Sequence, residues 1–151
     1  MTYTVIFIFL LILSAFFSGT ETAYFHIRKH RKETPDNIKS ILDYPQRLLV
    51  SLLTGNTIVN VVIASLAAYI TANIAHKYKW DDFTLILIEV LVVSIVVLIF
   101  GEILPKMVAI RQSNKFAERV YRPLKIMMSV LYPIAQAFNS VTSLIMKVLP
   151  V

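Results

Sequence analysis

Leu91–Ala109 reads LVVSIVVLIFGEILPKMVA, where an uninterrupted apolar run of the kind that spans bilayers meets Gly101, Glu102, Pro105 and Lys106. Pro105 has no N–H to give to the carbonyl of Gly101, and its ring crowds that turn, so a helix through here must kink or loosen and leave a carbonyl oxygen unpaired. Glu102 stands beside that opening. A carboxylate and a free carbonyl within one turn, at membrane depth, are oxygen ligands suited to a hard cation, and an ionisable residue inside a span marks a functional site by default.

The rest of the chain supports a membrane reading. The 151 residues are 57% hydrophobic and 16% charged, with a mean hydropathy of +0.70, too apolar for one soluble core of this size. Cysteine is absent, which excludes a disulfide framework and thiolate metal sites and leaves oxygen and imidazole ligands. The net charge of +6 comes from Lys and Arg that flank apolar segments instead of interleaving with aromatics on a polar surface. The positive charge therefore reads as a topology signal, and no nucleic-acid partner is expected. His26, His30 and His76 fall at span ends or in loops without ligand spacing, so histidine metal chemistry is not expected either.

Three spans are predicted, over residues 3–25, 48–76 and 83–107. In the first, Ser14, Ser18 and Glu21 line one face; for either serine alone the ordinary reading is helix packing, and Glu21 lies within two turns of Arg28. The N-terminus has no basic residue before its apolar run and no small-residue cleavage site after it, so this first segment is expected to stay in the membrane. Residues 28–47 carry six Lys or Arg, with Pro35 and Pro45 breaking any long helix, and read as a polar interfacial connection. On the second span Asn56 and Asn60 share a face; one asparagine in lipid is often interhelical glue, whereas two at i and i+4 favour a site. Glu89 is thirteen residues before Glu102, which at about 100° per residue puts it on a different face, as a separate polar contact. Residues 112–149 form a second interfacial element: Lys125, Ser129, Tyr132, Gln136, Asn139, Ser143 and Lys147 recur every three or four residues opposite Ile126, Val130, Ile134, Phe138, Val141 and Ile145. That pattern, with a break at Pro133, predicts an amphipathic belt helix in place of a fourth span.

Lys and Arg number six in the 28–47 connection, two in the 77–82 turn and seven from Lys106 onward. The positive-inside rule then predicts a multi-pass protein of the cell membrane with its N-terminus outside and C-terminus cytoplasmic. Depth adds the strongest constraint. Ser18 is ten residues before Arg28, Asn56 nine after Arg47, and Glu102 nine before Arg111, so at 1.5 Å per residue all three lie about 13 to 15 Å from the same boundary. Hydroxyl, amide, carboxylate and freed carbonyl make an all-oxygen set, which suits Mg²⁺ or Na⁺ over Zn²⁺ or Cu²⁺.

The segments Ser18-Gly19-Thr20-Glu21-Thr22-Ala23, Gly55-Asn56 through Asn60, and Gly101-Glu102-Ile103-Leu104-Pro105-Lys106, in that order and spacing, resemble the transmembrane domain of the CNNM/CorC family of magnesium transporters. The likeness covers nearly the whole chain, and the GEIxPK element is its most specific part. The resemblance implies an all-α homodimer with three transmembrane helices and a juxtamembrane belt helix per subunit, and Na⁺-linked Mg²⁺ export. Carried over by position, it implies Ser18, Asn60 and Glu102 as Mg²⁺ ligands, the carbonyl of Val108 as a further ligand at a position often glycine in the family, and Ser14 and Asn56 as close neighbours of the ion. It also implies a cytosolic CBS-domain pair, which this sequence does not contain. The alternative on the same ligands is a membrane-embedded Mg²⁺ sensor or scaffold that moves no ion. An intramembrane hydrolase using Ser18 and Lys106 has little support, because no oxyanion hole is recognisable and the two lie in different spans, so no enzyme is expected.

Overall fold

The computed structural model describes residues 2–30, 34–78 and 82–148, with 77, 78, 82, 134, 135 and 137–148 as backbone alone. Among them there is no strand. The helices are α1 (Thr2–His30), α2 (Asp36–Leu42), α3 (Pro45–Tyr78), α4 (Asp82–Val96), a π-helical segment (Val97–Ile103), α5 (Leu104–Arg111) and α6 (Ser113–Val148). Three stretches are long and apolar enough to cross a bilayer: Thr2–His30, Pro45–His76 and Phe83–Arg111, of 29, 32 and 29 residues. About 20 residues span the hydrocarbon, so each helix has roughly ten in excess and either tilts or projects past it. The surplus lies at the basic ends: Arg28, Lys29 and His30 occupy the last turn of α1, where cations meet the negative end of the helix dipole. The spans thus match the three expected, each extended by a few residues.

Proline punctuates the connection as its chemistry dictates. Pro35 precedes α2 with φ −54° and ψ 147°, an extended geometry that its ring permits, and Pro45 opens α3, where its missing N–H has no partner to lose. Pro105 acts differently. It falls just after the start of α5, and the helix accommodates it by widening upstream into the π segment, where the Leu104 N–H reaches back five residues to the Ile99 carbonyl. In that register the donor that Pro105 lacks is owed to Phe100, whereas in an α-helix it would be owed to Gly101. The loosening expected at the GEILPK stretch is therefore a π turn.

α1 is the centre of the bundle, touching α3, the π segment, α5 and α6. Its Phe17, Tyr24 and Ile27 are buried with Leu48, Leu52, Val59 and Ile63 of α3 and Ala117, Leu124, Met128 and Leu131 of α6. Burying aliphatic side chains of this size contributes about 1.5–3 kcal/mol each in water, and the part of this core nearest the basic ends is the part where that figure applies. The third span is peripheral: none of its most apolar window is buried within the chain, against 22% for each of the others.

α6 departs from its expected form in two ways. It runs without interruption through Pro123 and Pro133, so Pro133 does not break it; each internal proline costs about 3 kcal/mol, which the buried stripe Ala117, Leu124, Met128 and Leu131 offsets. It also has three faces where two were expected. Besides the polar stripe of Lys125 and Ser129 and the apolar pair Ile126 and Val130, which are 66% and 56% exposed, a separate apolar stripe docks on α1 and α3. The expected faces beyond Gln136 lie outside the described side chains, and Arg31 and Lys32, two of the six cations in the 28–47 connection, lie outside the described residues.

Candidate functional site

Ser14 is completely buried, at 0% exposure, on the side of α1 that meets α3. Its Oγ donates to Asn60 Oδ1 at 3.0 Å and lies 3.4 Å from Asn56 Oδ1. A hydroxyl has one proton, so the shorter contact is the bond and Asn56 is a competing acceptor. The i, i+4 spacing of the two asparagines is what presents both amides to one hydroxyl. In lipid the ordinary alternative for Ser14 is its own helix carbonyl, so the bond across to α3 ties the two helices at this level.

Gly101 brings the third span to the same point. A Cβ there would stand 2.9 Å from Ser14 Oγ, closer than any side chain tolerates, so a residue with no Cβ lets the π segment reach α1. The next residue, Glu102, lines an open groove of about 380 Å³ with Asn60, Ser94 and Val97. Ser94 escaped the sequence reading because in an unbroken α-helix eight residues of separation place it about 80° away from Glu102. The π turn takes less rotation per residue and brings the two to one groove. Pro105 was the available signal for such a shift. Glu89 is not among the groove residues.

Glu102 is half-buried and, among the described residues, makes no hydrogen bond or ion pair. Lys106, one turn on and also half-buried, is not paired with it. Ser18, one turn along α1 from Ser14, is 2% exposed, and its Oγ has no hydrogen-bond partner among the described residues although its carbonyl accepts the Thr22 hydroxyl at 3.1 Å. Leaving a buried hydroxyl unpaired costs about 1–3 kcal/mol, which makes an orphan beside this cluster a ready ligand. Of the expected site, then, Ser14, Asn56, Asn60 and Glu102 gather around one junction of three helices, with Ser18 adjacent. The Val108 side chain is 53% exposed and does not line the groove, while its carbonyl accepts the Gln112 N–H at 3.1 Å, leaving one lone pair.

The arrangement is an all-oxygen donor set with one carboxylate, buried on the α1 side and open on the side of α3 and α4. It suits a hard cation and has no nucleophile paired with a base. Three helices long and apolar enough to cross a membrane thus bring their polar groups to one junction, as an intramembrane functional site does. The chain belongs to the CNNM family, its residues 5–151 matching the model described as the cyclin M transmembrane N-terminal domain. It is similar to the UPF0053 inner membrane protein YfjD of Escherichia coli, with 27% identity over 148 residues that cover 91% of this chain and 32% of that protein. A UPF0053 protein of Haemophilus influenzae is also 27% identical over 155 residues, covering 97% of this chain and 36% of the relative. A chloroplastic DUF21 domain-containing protein of Arabidopsis thaliana shows 27% identity over 147 residues, 93% of this chain and 22% of its own length. The chain thus spans about a third or less of these relatives.

Proposed function

We propose that this domain moves Mg²⁺ across the membrane, outward and in exchange for Na⁺, through the junction of α1, α3 and the π segment. The observation that carries the reading is Glu102, a half-buried carboxylate with no partner among the described residues, facing one groove with Asn60 at mid-span. Its charge is what a partly dehydrated Mg²⁺ requires, because neutral oxygens alone compensate poorly for lost water. In this reading Ser18, Asn60, Glu102 and the Val108 carbonyl are ligands, and Ser14 and Asn56 adjoin the ion. Asn60 Oδ1 accepts from Ser14 in the present arrangement and keeps a second lone pair for an ion, so the ion would share the oxygen that ties α3 to α1. That shared oxygen couples ion occupancy to the α1–α3 contact and supplies a route to alternating access. The acting unit is a homodimer with α6 as a belt in the interface, an outer N-terminus, and CBS domains on the full-length protein.

Mg²⁺ flux in proteoliposomes, read by a trapped indicator, tests this. Flux above that of protein-free vesicles, accelerated by an opposing Na⁺ gradient, is expected. Mg²⁺ binding without flux under either gradient would replace transport with the sensor or scaffold reading.

A further inference from the structure

At the basic end of the bundle, α2, the first turns of α3 and the middle of α6 surround three open hollows of about 230, 390 and 540 Å³. The first shares Tyr44 and Arg47 with the second, and Tyr121, Lys125 and Ser129 with the third, so the three form one groove. Arg47 lies in the first turn of α3, at the basic end of the second span. Three tyrosines around a cation at that depth have the composition of a headgroup layer, where amphipathic rings settle.

Arg47 is held in place. Its guanidinium lies 4.4 Å from the centre of the Tyr132 ring, and the Tyr132 hydroxyl accepts Gln136 Nε2 at 3.1 Å, so the stack fixes the cation without consuming its donors. Neither Arg47 nor Lys125 is in an ion pair among the described residues. Asp43 also lines the groove without pairing with Arg47. Two cations with free donors facing one hollow form an anion site. The groove changes character along α6: beyond Lys125 and Ser129 it is lined by Ile126 and Val130 as well as Arg122, and the two apolar residues are exposed although the buried face of the helix lies elsewhere. A small inorganic anion would use the cations and gain nothing from that apolar wall. A molecule with a charged phosphodiester head and a hydrocarbon tail uses both.

We infer that this groove binds an anionic phospholipid, its phosphate between Arg47 and Lys125 and an acyl chain along Ile126 and Val130. The site is separate from the Ser14–Asn60–Glu102 junction and holds whether or not Mg²⁺ is carried there. Its occupancy would tie α6 to the start of α3 through a molecule of the membrane itself, so lipid composition would bear on how the two helices are held.

Native mass spectrometry of the purified domain in a neutral detergent, titrated with dioctanoyl phosphatidylglycerol, dioctanoyl phosphatidylcholine or glycerol 3-phosphate, tests it. Phosphatidylglycerol should bind at least about tenfold more tightly than phosphatidylcholine, and the double variant Arg47→Gln, Lys125→Gln should lose about tenfold or more of that affinity. Lys125→Gln alone, at an exposed position that cannot disturb folding, should lose roughly fivefold. Lys115→Gln with Arg119→Gln removes the same charge elsewhere on α6 and should leave binding unchanged. Equal affinity in the Arg47, Lys125 variant and the parent, or an equal loss in the Lys115, Arg119 control, would overturn the site by reducing it to diffuse attraction. Glycerol 3-phosphate binding as tightly as phosphatidylglycerol would overturn the lipid in favour of a free phosphate ester.

Discussion

Replacing Gly101 by alanine probes how the third span is seated. The added Cβ would stand 2.9 Å from Ser14 Oγ, 3.4 Å from Ser14 Cβ and 3.5 Å from Val97 Cγ1. Carbon atoms pack at about 3.5 Å and above, so the last two contacts need little adjustment and the hydroxyl is the obstacle. Ser14 is fully enclosed, and its Oγ escapes by rotating to the carbonyl of its own helix, abandoning the 3.0 Å bond to Asn60. The lost bond costs about 1 kcal/mol and the overpacking about 1–3 kcal/mol. Alanine's better helix propensity returns about 1 kcal/mol, for a net loss of about 1–3 kcal/mol. Unfolding by SDS titration in mixed micelles, followed by circular dichroism, measures it. Because the obstacle is one oxygen atom, the loss should vanish in a Ser14→Ala background, where Gly101→Ala becomes neutral or mildly stabilising. Equal losses in both backgrounds would refute the claim that the π segment rests on the Ser14 hydroxyl.

Glu102→Gln keeps size and an oxygen but removes the charge at the junction, so calorimetric Mg²⁺ titration of monodisperse protein should show binding lost with folding retained; parental affinity would defeat the proposed site. Mg²⁺ at millimolar concentration should raise the thermal midpoint of the parent by mass action and hardly move Asn60→Ala, and an equal rise in both would remove Asn60 from the site. A cysteine at Val151, in a chain with none, should react with impermeant thiol reagents from the cytoplasmic side alone, since α6 is expected to lie in the interface. Labelling from outside would establish a fourth crossing.

Much of this molecule follows from quantities that add along the chain. Hydrophobicity summed over about 20 residues places the three spans, and Lys and Arg mark where each ends. Pro105 lacks a donor covalently, so disruption at Gly101–Glu102 was readable before any fold was known. Depth is equally legible, because each residue advances about 1.5 Å: Ser18, Asn56 and Glu102 fall at one level by counting alone. What counting does not give is azimuth. Ser14 could bond its own helix or α3, and the rotation of α1 against α3, set by the Phe17, Leu52 and Val59 packing, decides for Asn60. The π turn resets the angle of every residue after Val97, which is why Ser94 joins Glu102. α6 carries two apolar stripes, and nothing in periodicity says which one docks; the close approach of Leu131 and Phe17 to Gly55 selects Leu124, Met128 and Leu131 and leaves Ile126 and Val130 outward. The axial coordinate belongs to one helix at a time, whereas the angular one is a property of the pair.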